Sequence, residues 1–278
     1  MYTTGPGART REGLRIGGVR RRLFDGAARF AGDPGHRAEL DTYTADLLRP
    51  YGLALAGGAG GPGHSYGEMA EALIRELVPA DAPVDLIVLA FAVPDVRPGR
   101  ATATYLSHVC PGNPLAFAVC DQGSAAAFTG LRLAREYRRT GGCERALLLV
   151  VEQAGLPYEP ATPAPVPARH AAVALLLDGA GPPVEVLRQH PNVAPDEVRA
   201  RLSAELADLT TTATTVVLGT ELAGHPGGGG KVLVAPAGQP HTGVWWELAG
   251  LDGGAGPVVL ADYDRALGHL CLLATGAA

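Results

Sequence analysis

The stretch Phe117-Ala-Val-Cys-Asp-Gln-Gly-Ser-Ala-Ala-Ala-Phe-Thr-Gly-Leu-Arg-Leu-Ala134 decides how this chain is read. Its first residues are apolar and suit a short buried strand. Asp121, Gln122 and Gly123 suit a tight bend. From Ser124 onward the pattern is helical, and Gly141-Gly142 after Arg139 supplies a C-terminal cap. A strand that turns sharply into a helix presents one residue at the bend, and enzymes place nucleophiles there. Cys120 lies before the bend, in the strand, where a free cysteine packs as a small hydrophobe. Gln122, Gly123 and Ser124 occupy the bend itself.

Working outward, the same order of elements occurs twice. Strands are expected at Leu14–Arg20, Asp85–Phe91, Leu115–Val119, Ala146–Val151 and Ala171–Leu177. Tyr66–Val78 places Met69, Leu73, Ile74 and Leu77 on one helical face. The second set has strands at Val184–Leu187, Thr215–Leu218, Lys231–Val234, Val258–Ala261 and His269–Leu273, with helices at Pro195–Leu206 and Thr242–Ala249. The strands are apolar without polar alternation, as a sheet covered on both faces requires. A doubled α/β chain follows, with layered sheets and central helices. The halves are expected at 1–181 and 182–278, and Phe24–Gly63 reads as a linker.

Composition sets the outer bounds. The 278 residues are 47% hydrophobic, enough for one large domain or two fused halves. A net charge of −5 gives no signal for nucleic acid, and Arg20-Arg-Arg22 suits a solvated strand edge. The four cysteines, Cys110, Cys120, Cys143 and Cys271, have no metal-binding spacing. Four scattered thiols suit a reducing compartment, the cytoplasm. No apolar run reaches the roughly 20 residues that span a bilayer, and the first ten residues carry no apolar signal segment.

Two motifs point elsewhere. Gly63-His-Ser-Tyr-Gly67 matches G-x-S-x-G, with Asp262 and His269 following in triad order. A serine hydrolase using Ser65 needs a strand leading into Gly63, where Gly57-Gly-Ala-Gly-Gly-Pro62 stands. Asp262 and His269 are also close together for two separate loops. Gly227-Gly-Gly-Gly-Lys231 lacks the spacing and the Ser or Thr of a phosphate loop, and a strand follows it rather than a helix.

Two such halves, with a nucleophile helix in the first, resemble the thiolase superfamily, and most of all its ketoacyl-acyl carrier protein synthase III group. Val84–Ala90, the opening stretch, Arg145–Gln153, Gly238–Leu248 and Gly256–Ala261 carry the resemblance. It implies a five-layered α/β/α/β/α fold with pseudo-twofold halves. It also implies a dimer paired through Leu115–Val119, as a homodimer or with a ketosynthase. The implied substrate is an acyl group on CoA or on an acyl carrier protein, with no cofactor or metal, in polyketide, fatty-acyl or related secondary metabolism. In that group a Cys at the helix N-terminus takes the acyl group, and a His and an Asn from the second half assist. Counting forward from Phe117 puts the Cys position at Gly123, and counting back from Gly130-Leu131 puts it at Ser124. The His position falls on Gly219 and the Asn position on Gln239. No member of the catalytic set survives as itself.

Three readings stand open. Ser124 carries the acyl group, with His241 as base, Gln239 in support, and Gln122, Gly123 and Gly219 around the carbonyl; His225 is a poorer base. Alternatively the chain is a silent partner of an active synthase, like the chain-length factors, which carry Gln where the Cys was; Gln122 is the loose parallel. The third is the Ser65 hydrolase. The blander roles are helix caps for Ser124 and Asp121 and a structural His241.

Overall fold

The computed structural model describes residues 13–25, 33–55, 63–97, 101–156, 158–160, 165–251 and 256–277. The Gly-rich run 57–62 and the first ten residues lie outside them. The first sheet holds β1 (Arg15–Leu23), β2 (Leu86–Ala90), β3 (Leu115–Val119), β4 (Ala146–Glu152) and β5 (Ala171–Asp178) in the order β1-β5-β4-β2-β3. The second holds β6 (Val184–His190), β7 (Thr215–Leu218), β8 (Lys231–Val234), β9 (Val258–Asp264) and β10 (His269–Thr275) in the order β6-β10-β9-β7-β8. Adding five to each label of the first order gives the second. Pairing repeats too: β2 lies parallel to β3 and β4, and β7 lies parallel to β8 and β9. The outer pairs β1–β5 and β6–β10 are antiparallel.

Six helices complete the layers: α1 (Pro34–Leu48), α2 (Tyr66–Leu77), α3 (Thr102–Val109), α4 (Ala125–Arg139), α5 (Val198–Leu209) and α6 (Gly243–Gly250). Strand alternation sorts the core into three slabs. Ile87, Leu89, Leu147 and Leu149 face outward onto Met69 and Leu73 of α2 and Leu106 of α3. Val88, Leu148 and Val150 face inward, where Phe128 of α4 and Trp245 of α6 meet Val217, Leu260 and Leu273 of the second sheet. Val216, Leu218, Val259 and Leu270 face outward again, onto Leu202 and Leu206 of α5. The stack is helix, sheet, helix, sheet, helix, the layering that the doubled order of elements implies. The rings of Phe128 and Trp245 lie 4.8 Å apart, at the centre of the molecule, and join the two middle helices.

Two helices depart from the sequence reading. Residues 34–48 form α1 inside the stretch expected as a linker. Its apolar residues do not gather on one face, and only Thr44 and Leu48 are buried, so periodicity gave no sign of it. Its signals are local: Pro34 sits in the first turn, and the Asp33 side chain accepts from the Gly35 N–H at 2.9 Å. α3 is eight residues long with three of them Thr or Val, too short and too β-branched for a pattern to emerge. α5 starts at Val198 rather than at Pro195, after a turn.

Candidate functional site

The bend after β3 has the geometry of a nucleophile elbow. Asp121 (φ 59°) and Gly123 (φ 49°) are both left-handed, and Ser124 (φ −67°, ψ −18°) is already helical. The residue held in the strained conformation between strand and helix is therefore Gly123, the position reached by counting forward. An elbow of this shape would display the side chain of residue 123, and glycine has none. Ser124 follows it, buried, as the N-cap residue of α4.

Two acids from β9 fill the space around the elbow. Asp262 and Asp264 are two apart on the strand, so both face α4, and Tyr263 between them points into the outer core. A Cβ on Gly123 would stand 1.7 Å from Asp264 Oδ2. That same oxygen accepts the Ser124 N–H at 3.1 Å, while Oδ1 accepts the Leu267 N–H at 3.0 Å. A Cβ on Gly219 would stand 2.0 Å from Asp262 Oδ1. Ser124 lies beside the Asp262 carboxyl, whose Oδ1 accepts the Tyr263 N–H at 2.9 Å. Each of these two glycines is thus matched by an aspartate lodged where its side chain would be.

Burial dominates the electrostatics. It pushes the Asp262 carboxyl up to about 7, against hydrogen bonds from Tyr263 and Ser124, with Asp264 and Glu221 raising it further. Glu152, at the end of β4, is likewise raised to about 7 by burial. It accepts the His241 N–H at 3.0 Å and the Thr242 hydroxyl. Gln239 is buried, and its amide donates to Thr242 Oγ1 at 3.0 Å. Gln239 is therefore tied into the Glu152 network through Thr242. Burial lowers the His241 imidazole to about 4, with Asp264 opposing, and its Nδ1 has no partner among the described residues.

Several expectations change here. Ser124 lies beside the Asp262 carboxyl, and the His241 Nδ1 makes no bond to it. Asp121 does not cap α4; the capping acid is Asp264, 140 residues further on, because the left-handed Asp121 is turned out and exposed. Gln122 is not offered to a ligand as an amide mimic: its Oε1 accepts the Thr129 hydroxyl at 2.6 Å, and Thr129 in turn accepts from Gln189 at 2.9 Å. His225 bonds Ser203 at 3.1 Å, on α5. Cys120 is half-buried with its thiol on Asp121, and burial raises its pKa. It lines a cavity of about 440 Å³ with Tyr43, Leu47, Phe91, Asp95 and Thr102. Ser65 is no nucleophile elbow. It is fully buried in a capping box for α2, accepting the Glu68 N–H at 3.2 Å and donating to the Glu68 carboxylate at 3.0 Å. The residues that sequence reasoning missed are Glu152, Thr242 and Asp264. For Asp264 a signal existed: Asp262-Tyr-Asp264 puts two acids on one face of an otherwise apolar strand.

The architecture has known counterparts. ChlB3, described as an acyltransferase, superposes with a TM-score of 0.62 at 15% identity, over 96% of this chain and 98% of that one. AbyA1, a tetronic acid condensing enzyme, gives 0.63 at 14% identity, over 95% and 100%. The 3-oxoacyl-(acyl carrier protein) synthase III of Pseudomonas aeruginosa PAO1 gives 0.58 at 16% identity, over 96% and 98%. The fold is thiolase-like, of the ketosynthase III kind. No family model matches the chain, and no curated protein matches it in sequence. Two five-stranded sheets around central helices replace the single sheet that a Ser65 hydrolase of the α/β-hydrolase type requires. Among the described residues no helix is long and apolar enough to cross a membrane, and no group of three His, Cys, Asp or Glu converges as metal ligands.

Proposed function

We propose that this chain is a ketosynthase III-like subunit that forms no acyl-enzyme of its own and works by pairing with a catalytically intact condensing enzyme of the same fold. The observation that carries this reading is Gly123 in the strained elbow conformation with Asp264 lodged against it. An acyl-transfer site needs a nucleophile and a cluster of donors aimed at a developing oxyanion. Here the nucleophile position is bare, the Ser124 N–H is taken by a carboxylate, and an anion sits where another would have to form. Loss of one oxyanion donor alone costs about 10²–10³ in rate. Gly219 and the tied Gln239 remove the helpers of decarboxylative condensation as well.

The pairing surface is β3. It ends its sheet, with Leu115 54% exposed, and an apolar edge strand of this kind is stable when another strand covers it. The acyl group, on CoA or on an acyl carrier protein, belongs to the intact partner's site, in polyketide or fatty-acyl assembly in the cytoplasm. The four free thiols suit that compartment.

One observation favours a second reading. Ser124 lies beside a carboxyl that burial raises to about 7, which suits a general base. Acyl transfer through Ser124, with Asp262 in the role first given to His241, is then the activity to look for. Intact mass after incubation with acyl-CoA and acyl-carrier thioesters separates the two. The expected result is no adduct on the wild-type chain. An adduct that disappears in Ser124→Ala establishes the second reading and removes the first.

A further inference from the structure

We infer that Asp264, with Asp262 beside it, holds the elbow shut, so that returning a nucleophile to this site restores no reactivity until the Asp264 carboxylate is removed. The inference deepens the silent-subunit reading and rests on it.

The surroundings of Asp264 and Asp262 support it. The N-terminus of the 15-residue α4 carries the partial positive charge that would otherwise lower the pKa of a thiol there. Asp264 Oδ2 already neutralises it through the Ser124 N–H. The same oxygen lies within 1.7 Å of where the first side-chain atom of residue 123 would stand. Asp264 is itself fixed from behind by the Leu267 N–H, so the carboxylate is anchored at both oxygens. Asp262 repeats the arrangement at Gly219, 2.0 Å from the missing Cβ. Both side chains lodged at the elbow are therefore acids, and neither offers a proton-poor anion the stabilisation of a cation. His241, the one basic side chain beside Asp264 in this group, is held neutral at pH 7 by burial. A thiolate or an oxyanion in this position meets two carboxyls at close range. In an open elbow it would meet free N–H groups and a helix dipole.

The test installs a reporter thiol and reads its ionisation. Gly123→Cys and Gly123→Cys/Asp264→Ala are compared by the rate of alkylation with iodoacetamide between pH 5 and 10. The thiolate displaces iodide to form the thioether, and peptide mapping distinguishes the introduced thiol from the four native ones. The expected result is an ordinary or raised thiol pKa in the single variant. In the double variant the pKa should fall below the ordinary range, with alkylation at pH 7 at least ~10-fold faster. Equal profiles in the two would overturn the inference.

Because a side chain at 123 displaces Asp264, a second pair guards against misfolding: Ser124→Cys alone and with Asp264→Asn, which removes charge while keeping volume. A fall in thiol pKa on Asp264→Asn supports the anionic closure, and no change overturns it. Acylation of the wild-type chain at Ser124 would sink the silent-subunit reading whatever these thiols do. Unchanged thiol profiles with no acylation would sink only the closure.

Discussion

At the scale of single residues, the two buried acids make a prediction about pH. Asp262 and Glu152 titrate near 7 in the folded protein, and unfolded carboxyls titrate near ~4. Between these values the folded chain holds protons that the unfolded chain has released, so stability falls as pH rises. His241, lowered to about 4, works the other way, but only up to the unfolded histidine value of about 6.5. Above that the acids lead, and the raised Cys110 and Cys271 thiols add to the same fall as unfolded thiols begin to ionise. Thermal unfolding midpoints should therefore fall from pH 6.5 to pH 8, and Asp262→Asn should remove roughly half of that slope. A midpoint that rises over this range contradicts the assignment. Ser65→Ala should cost about 1 kcal/mol by denaturant titration, as lost helix caps do, and the wild-type serine should resist fluorophosphonate labelling. The elbow was legible in sequence because strand, bend and helix are local. Its occupants were not, since Asp264 comes from 140 residues away and nothing near Gly123 announces it. The matched pairs also bear on mutation. A side chain at Gly123 meets Asp264, and loss of Asp264 alone strips α4 of its cap, so single substitutions do not lead back to an open elbow.

At the scale of elements, strands were readable and the weaker helices were not. Among the described residues the buried strands β2, β4, β5, β9 and β10 sit where apolar runs place them, because burial on both faces leaves an unbroken hydrophobic signature. The more exposed β1 and β6 run past the ends expected for them. α1 and α3 escaped because one has no apolar stripe and the other is a short, β-branched segment. The middle helices are the element pair on which both halves depend, and their junction is the fully buried contact of Phe128 with Trp245. Trp245→Ala should destabilise the protein by about 3–5 kcal/mol, the usual cost of removing a buried large aromatic. Near-UV circular dichroism and the unfolding midpoint should both report it. A change under ~1 kcal/mol would mean that the two central helices do not rely on this contact.

At the scale of the molecule, β3 should be covered in solution. Leu115→Asp places a charge on its exposed end, and sedimentation at micromolar concentration should shift from dimer, or from a complex with a condensing enzyme, to monomer. A wild-type chain that sediments alone as a monomer even beside such an enzyme removes the pairing surface. The sheet order has one more consequence. β1 pairs only with β5, and β5 comes some 150 residues later: Arg15 lies opposite Asp178. β6 likewise waits for β10, the last strand described. During synthesis each half stays unfinished, with raw edges on show, until its final strand emerges. Loop closure over such distances is slow. This chain therefore spends longer in sticky, half-built forms than its simple layering suggests, and a waiting partner subunit would have most to offer at that stage.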